Sequence, residues 1–223
     1  MKPVLVCFIA IALLVSTLPV LAQTQTTENI GFKWAFGSLV GKDRKFVSIT
    51  KDTVLKTGDE IKLLVELTKD CYVYVLHYGS RGEVDLLFPY DLKQFDGDYN
   101  TGKNYYIPRG RSWIQLDKNT GTEKFYILAS AERLVDLEAK IADYLSADAS
   151  RKPSLASEVV TLVRDVRNRY KSFATLAEKP LTIGGNIRGT EKAEESRRPD
   201  VANIVSQVSA SNFYSKTFTI DHQ

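Results

Sequence analysis

The sequence contains very few of the residues on which disulfide-stabilised, zinc-binding and histidine-dependent proteins rely. It has 2 cysteines and 2 histidines among 223 residues. Cys7 lies in an N-terminal apolar run, so Cys71 is the one thiol in the rest of the chain and has no disulfide partner there. The sequence also lacks zinc-ligand spacing, a phosphate-binding glycine loop and a Gly-x-Ser-x-Gly elbow. We therefore expect stability to come from packing, and no cofactor is indicated.

An excess of charge of one sign is also missing. The chain has 30 Lys and Arg against 27 Asp and Glu, which gives a formal net charge of +3. This balance excludes the global basic field with which many proteins attract nucleic acid or acidic lipid. We expect no nucleic-acid partner.

Long apolar runs are absent except near the N-terminus. Residues 4–15 form a short apolar run, and the small residue Ala22 precedes Gln23, a pattern typical of a signal peptide. The run is short for a membrane-spanning helix, which needs about 20 apolar residues. We therefore predict a signal peptide at 1–22. The mature chain, 23–223, is expected to be one exported domain, periplasmic or secreted, without a transmembrane segment.

Up to about residue 130 the mature chain has the patterns of β-strands. Apolar residues occupy every second position of Glu60–Leu67, as in a half-buried strand. Tyr72–Tyr78 is apolar on both faces, as in a central strand covered on both sides. Many short strands separated by turn residues predict a mainly β (α+β) fold, an antiparallel Ig-like β-sandwich. The other predicted strands are Lys33–Leu39, Phe46–Ile49, Glu83–Phe88, Trp113–Leu116, Lys124–Ser130 and Asn212–Ile220.

Beyond residue 130 the period of the apolar residues becomes helical. Two amphipathic helices are predicted at about 132–147 and 153–176, and Pro153 suits the first turn of the second. Residues 184–200 are polar and charge-mixed, which predicts a mobile loop. The helices would thus form a two-helix insertion before the last strand.

The segment 95–113, FDGDYNTGKNYYIPRGRSW, contains the candidate ligand-binding residues. If Ile114 and Leu116 face the core, strand alternation turns Trp113 outward, to the side that Arg111 also reaches. An outward tryptophan beside arginines can stack on a sugar ring or contact a partner protein. The alternative is that Trp113 covers the core at the sheet edge and that the arginines are only solvated. The candidate binding residues are Tyr105, Tyr106, Arg109, Arg111 and Trp113.

The first half of this segment resembles the start of a calcium loop. Asp96, Asp98 and Asn100 match the first three ligand positions. The match then fails, because Thr101 replaces the required glycine and Ile107 replaces the bidentate glutamate. We expect an acidic turn without metal, and a calcium site is the alternative.

The two histidines offer no catalytic arrangement along the sequence. Cys71 and His77 lie six residues apart in one predicted strand, about 20 Å, and cannot pair. His222 lies next to the carboxyl end. Two of the 27 acidic residues could still converge as in a glycosidase. The main expectation is a protein without enzymatic activity, and the alternative is a hydrolase acting on envelope polysaccharide.

Several short segments resemble a known family. They are Leu55-Lys56-Thr57-Gly58-Asp59, Tyr72-Val73-Tyr74-Val75-Leu76, Gly82-Glu83-Val84, Leu86-Leu87-Phe88-Pro89, Ile107-Pro108, Gly121-Thr122-Glu123 and Ile127-Leu128-Ala129-Ser130. Together they resemble the bacterial domain of unknown function family 4384, from about Thr53 to Ser130. The resemblance implies a fold and an exported bacterial origin, and it supplies no catalytic residues. We therefore expect a non-catalytic module of the bacterial envelope that binds an unknown envelope protein or cell-wall glycan.

Overall fold

The computed structural model describes residues 29–170, 176–180 and 198–223, which form two facing β-sheets and two helices. The strands are β1 Ile30–Val40, β2 Lys45–Ser48, β3 Thr53–Leu55, β4 Glu60–Leu67, β5 Tyr72–Tyr78, β6 Val84–Phe88, β7 Asn104–Ile107, β8 Ile114–Gln115, β9 Gly121–Ser130, β10 Leu176–Pro180, β11 Ser206–Ala210 and β12 Phe213–His222. The helices are α1 Val135–Ser146 and α2 Lys152–Tyr170, with short 3₁₀ helices at Leu92–Asp96 and Val201–Ile204. The predicted signal peptide and most of the predicted loop at 184–200 lie outside the described residues.

The two sheets form the predicted β-sandwich. The first has the strand order β10-β11-β1-β4-β7, with β2 also paired to β1 and β8 to β4. The second has the order β3-β12-β9-β5-β6. The pairings are antiparallel except that of β3 with β12, which is parallel.

Aromatic side chains join the two sheets. The Trp34 ring of β1 packs edge-on against Phe218 of β12, with 5.2 Å between the ring centres. Phe36 of the same strand packs against Phe125 of β9 at 5.1 Å. All four side chains are buried. Full burial of each such apolar side chain contributes about 1.5–3 kcal/mol, so this layer is a major source of stability.

The helices cover the outer face of the second sheet. Tyr74 and Leu128 of that face pack in one buried cluster with Leu137 of α1 and Val159 of α2. This explains why Tyr72–Tyr78 is apolar on both faces, as predicted. Within the described residues, no helix is both long and apolar enough to span a membrane.

A buried polar contact fixes α1 on this sheet. The Tyr74 hydroxyl donates to Glu138 Oε1 at 2.6 Å and accepts from the Leu134 N–H at 3.0 Å. Arg133 donates to the same Glu138 carboxylate. The start of α1 is therefore held by hydrogen bonds as well as by apolar packing.

The chain after the helices differs from the prediction. Helix α2 ends at Tyr170, and Leu176, the last residue of the predicted helix, begins β10. In the described part of this region three strands follow the helices instead of one, because β10 and β11 pair antiparallel with each other and β11 pairs with β1. Both strands have five residues, and SQVSA in β11 has only Val208 as a large apolar residue. Pairing with β1, and not local apolar alternation, determines that β11 is a strand.

The single cysteine of the described chain is buried, as its strand context predicted. Cys71 is 3% exposed, and its thiol donates to the Gly31 carbonyl oxygen at 3.6 Å. Burial raises the pKa of Cys71 to about 11, so the thiol is protonated and unreactive at neutral pH.

Candidate functional site

A buried lysine holds the loop that carries the predicted arginines. Lys62 lies on the outer face of β4 and is 4% exposed. Its Nζ donates to the backbone carbonyl oxygens of Pro108 at 3.2 Å, Gly110 at 2.9 Å and Ser112 at 2.5 Å. Burial lowers the pKa of Lys62. Because alternate carbonyls converge on one ammonium group, the 108–112 loop is fixed around it.

The 108–112 loop presents two exposed arginines. The Arg109 guanidinium lies 3.9 Å from the centre of the Tyr90 ring, and the Tyr90 hydroxyl donates to the Tyr106 carbonyl at 2.7 Å. Arg109 is thus positioned by a ring that is itself held. In the part of the chain that the structure describes, neither Arg109 nor Arg111 has a carboxylate within ion-pair distance. Five other arginines do: Arg44, Arg81, Arg133, Arg164 and Arg198.

Half-buried aromatic rings lie beside this loop. Trp113 packs edge-on against Phe46, with 6.3 Å between the ring centres. Both rings and Tyr106 pack on a small buried cluster that includes Leu64 and Val201, on the outer face of the first sheet. Trp113 therefore points away from the main core, as predicted, but it also covers a second apolar cluster. Its environment thus combines features of both interpretations, an outward-facing residue and a residue that covers apolar side chains.

Tyr105 does not belong to this surface, which corrects the prediction for that residue. It is 1% exposed, and its ring packs against Phe88 at 5.1 Å in the main core. Its hydroxyl accepts the Asn100 N–H at 2.6 Å. Residues 104–107 form strand β7, and alternation along a strand turns Tyr105 inward and Tyr106 outward.

Tyr106 links the surface to the chain after residue 197. Its hydroxyl donates to the Asp200 carboxylate at 3.0 Å. Burial, followed by this hydrogen bond, raises the pKa of Tyr106 to about 12. We call the following residues together the loop surface: Phe46, Tyr90, Tyr106, Arg109, Arg111 and Trp113.

The acidic half of the segment is occupied by ion pairs. Asp96 Oδ1 lies 3.2 Å from Arg133 Nη1, and Asp98 Oδ1 lies 2.5 Å from Lys103 Nζ. Asn100 donates to Asp98 at 3.4 Å. Among the residues that the structure describes, no group of three or more His, Cys, Asp or Glu is arranged to hold a metal ion. These contacts give the calcium alternative no support.

The structure brings the two histidines together at the ends of β5, β9 and β12. One carboxylate, that of Glu123, binds both rings: His77 Nε2 lies 3.1 Å from Oε2, and His222 Nδ1 lies 3.1 Å from Oε1. The second nitrogen of His77 lies 3.1 Å from Asp85, and that of His222 lies 3.2 Å from the Thr57 hydroxyl. No local pattern in the sequence predicted this cluster, which we call the histidine cluster.

The hydrogen bonds determine the protonation of the histidine cluster. An ionised carboxylate only accepts hydrogen bonds, so each imidazole donates an N–H to Glu123. Burial lowers the pKa of His77, but the hydrogen bonds to Asp85 and Glu123 outweigh it and raise the pKa to about 9. Burial alone would raise the pKa of Glu123, but its contacts with the two histidines have the larger effect, so that the pKa is lowered overall. Charged His77 thus bridges two carboxylates at neutral pH.

Comparison with known proteins supports the resemblance noted in the sequence. Residues 54–133 match the family model described as Domain of unknown function (DUF4384). The match includes the 108–112 loop and Glu123, whereas His222 and the two helices lie outside it. No curated protein and no solved structure matches the chain. The resemblance predicted from the sequence motifs is thus confirmed over residues 54–133, a segment similar to this family of domains of unknown function.

Proposed function

We propose that this protein is a non-catalytic binding module, exported to the bacterial envelope, which contacts an envelope protein or a cell-wall glycan through the loop surface. The observation that supports this function best is a pair of exposed arginines, Arg109 and Arg111, that have no carboxylate partner among the residues that the structure describes. Half-buried Trp113 follows Arg111 by two residues in the sequence and packs on the outer face of the first sheet. The apolar run at residues 4–15 and the small residue Ala22 before Gln23 support export.

The loop surface is ordered before any ligand binds. Three hydrogen bonds from Lys62 hold the backbone of the 108–112 loop, and the Tyr90 ring supports Arg109. A preorganised surface loses less conformational entropy on association, and this raises its affinity. The fixed loop therefore suits ligand recognition better than a solvated turn would.

A retention experiment tests this function. The double variant Arg111→Ala, Trp113→Ala should retain at least tenfold less of its ligand from envelope extract, about 1.4 kcal/mol of binding free energy. The matched control is Arg169→Ala, which removes the same charge from an exposed position of α2. Circular dichroism establishes that each variant is folded. Unchanged retention by the folded double variant would contradict the proposed function.

A second candidate function, hydrolysis of an ester on envelope polysaccharide, has one observation in its favour. The Thr57 hydroxyl, His222 and Glu123 are arranged as nucleophile, base and orienting carboxylate. In this reaction the Thr57 proton would move to His222 Nε2 while Oγ1 adds to the ester carbonyl carbon. The alcohol would leave with that proton, and water would then release the acid and regenerate Thr57.

The backbone around Thr57 favours binding over hydrolysis. The N–H of Thr57 donates to the Gln223 carbonyl at 2.8 Å, and the N–H of Gly58 donates to the Leu116 carbonyl at 2.9 Å. Neither N–H is free to stabilise an oxyanion, a contribution that is often the largest in acyl transfer. We expect that neither wild type nor Thr57→Val accelerates the hydrolysis of p-nitrophenyl acetate above its rate in buffer alone. Turnover by wild type that Thr57→Val abolishes would instead establish the hydrolase.

A further inference from the structure

We infer that the ligand of the loop surface is an acidic polysaccharide, whose carboxylates bind Arg109 and Arg111 and whose sugar rings contact Trp113. This inference rests on the proposed function, because it names the ligand of the same surface.

The charges around the 108–112 loop favour an anion. Two exposed guanidinium groups and the Lys62 ammonium beneath them are positive, whereas the nearby Asp200 is already bound by the Tyr106 hydroxyl and the Ala202 N–H. A guanidinium group binds a carboxylate through two parallel hydrogen bonds. Arg109 and Arg111 are therefore suited to carboxylate recognition.

The apolar part of the loop surface favours a sugar over an acidic polypeptide. Protein interfaces depend on apolar or aromatic anchors that become buried at their centre. The large hydrophobic side chains exposed in the described chain are Val54, Val135 and Leu145, and all three lie outside the loop surface. What the loop surface offers is half-buried aromatic rings beside planar cations. Aromatic rings with polar neighbours can contact the apolar face of a sugar while its carboxylates and hydroxyls bind at the edge.

The spacing of the arginines suits a polymer. Arg109 and Arg111 are two residues apart, so their Cα atoms are separated by no more than about 7 Å. A polysaccharide with a carboxylate on successive sugars supplies two anionic groups within reach of the two flexible side chains. A single monosaccharide carboxylate would bind only one of them, so we expect the polymer to bind more tightly than its monomer.

Binding to defined polymers tests the inference. The probes are polygalacturonate, the same polymer after reduction of its carboxyl groups, galacturonic acid, and polyglutamate. Wild type should bind polygalacturonate, bind the monomer more weakly, and show little binding to the reduced polymer or to polyglutamate. Added salt should weaken the binding, since the charges are exposed. Arg109→Gln with Arg111→Gln should weaken it at least tenfold, and Arg169→Ala should not change it.

Three outcomes separate this inference from the proposed function. Binding of polyglutamate as tight as that of polygalacturonate would overturn the inference and indicate an acidic polypeptide. Absence of polygalacturonate binding, together with extract retention that depends on Arg111 and Trp113, would overturn the inference and leave the proposed function standing. Extract retention that is independent of Arg111 and Trp113 would overturn both.

Discussion

Replacing Lys62 by methionine is expected to abolish binding at the loop surface and to lower the free energy of unfolding by about 2 to 3 kcal/mol. Methionine has a similar length but cannot donate, so the carbonyls of Pro108, Gly110 and Ser112 lose their shared partner. Each carbonyl left without a partner lowers the free energy of unfolding by roughly 1–3 kcal/mol, and this loss is smaller where a water molecule replaces the ammonium group. Methionine also removes the cost of burying a charge, which offsets a further part of the loss. The released loop would no longer hold Arg109 and Arg111 in place.

Urea unfolding and the extract-retention assay together measure this effect. Lys118→Met is the matched control, because Lys118 is exposed and its side chain makes no hydrogen bond or ion pair within the described part of the chain. It should leave both quantities unchanged. If Lys62→Met binds as wild type does, the loop keeps its shape without the buried ammonium, and our account of its rigidity is wrong.

The contribution of His77 to stability is expected to disappear as the pH rises. Its pKa is raised from 6.5 to about 9, which corresponds to roughly 3 kcal/mol in favour of the folded state. A histidine whose pKa is raised by folding contributes its full stabilisation at pH values below its pKa in the unfolded chain. This contribution is lost as the pH rises through its pKa in the folded state. The difference in unfolding free energy between wild type and His77→Gln should therefore shrink by roughly 3 kcal/mol between pH 6 and about 9.5.

Urea unfolding of both proteins at several pH values measures this difference directly. Taking the difference removes the contributions of other groups that titrate at high pH, such as Cys71. Asp85→Asn removes one of the two carboxylates that bind His77, so it should reduce the pH-dependent part without eliminating it. A wild-type minus His77→Gln difference that is independent of pH would show that folding does not raise the pKa of His77.

Local patterns in the sequence were sufficient to predict the sandwich and the helices. Period-two alternation identified β4, apolar residues on both faces identified β5 as a central strand, and helical spacing identified α1 and α2. Alternation also turned Trp113 away from the main core. The position of Tyr105 was missed because β7 has only four residues, too few for a clear alternation.

The parts of the site that the sequence did not predict depend on contacts between distant residues. Lys62 occupies a position of β4 that alternation assigns to solvent. It is buried because the 108–112 loop covers it, and Ser112 of that loop is 50 residues away from Lys62 in the sequence. The histidine cluster joins Glu123 to His77 across 46 residues and to His222 across 99. These contacts follow from β9 lying between β5 and β12 in the second sheet, an order that no local pattern specifies.

Site-specific photo-cross-linking tests the central claim, that the loop surface is where the ligand binds. A photoreactive phenylalanine analogue replaces either Ser112, exposed in the 108–112 loop, or Ser157, exposed on α2. After irradiation in envelope extract, the probe at position 112 should yield a cross-linked product and the probe at position 157 should not. Cross-linking from position 157 alone would place the ligand on the helices and contradict our account.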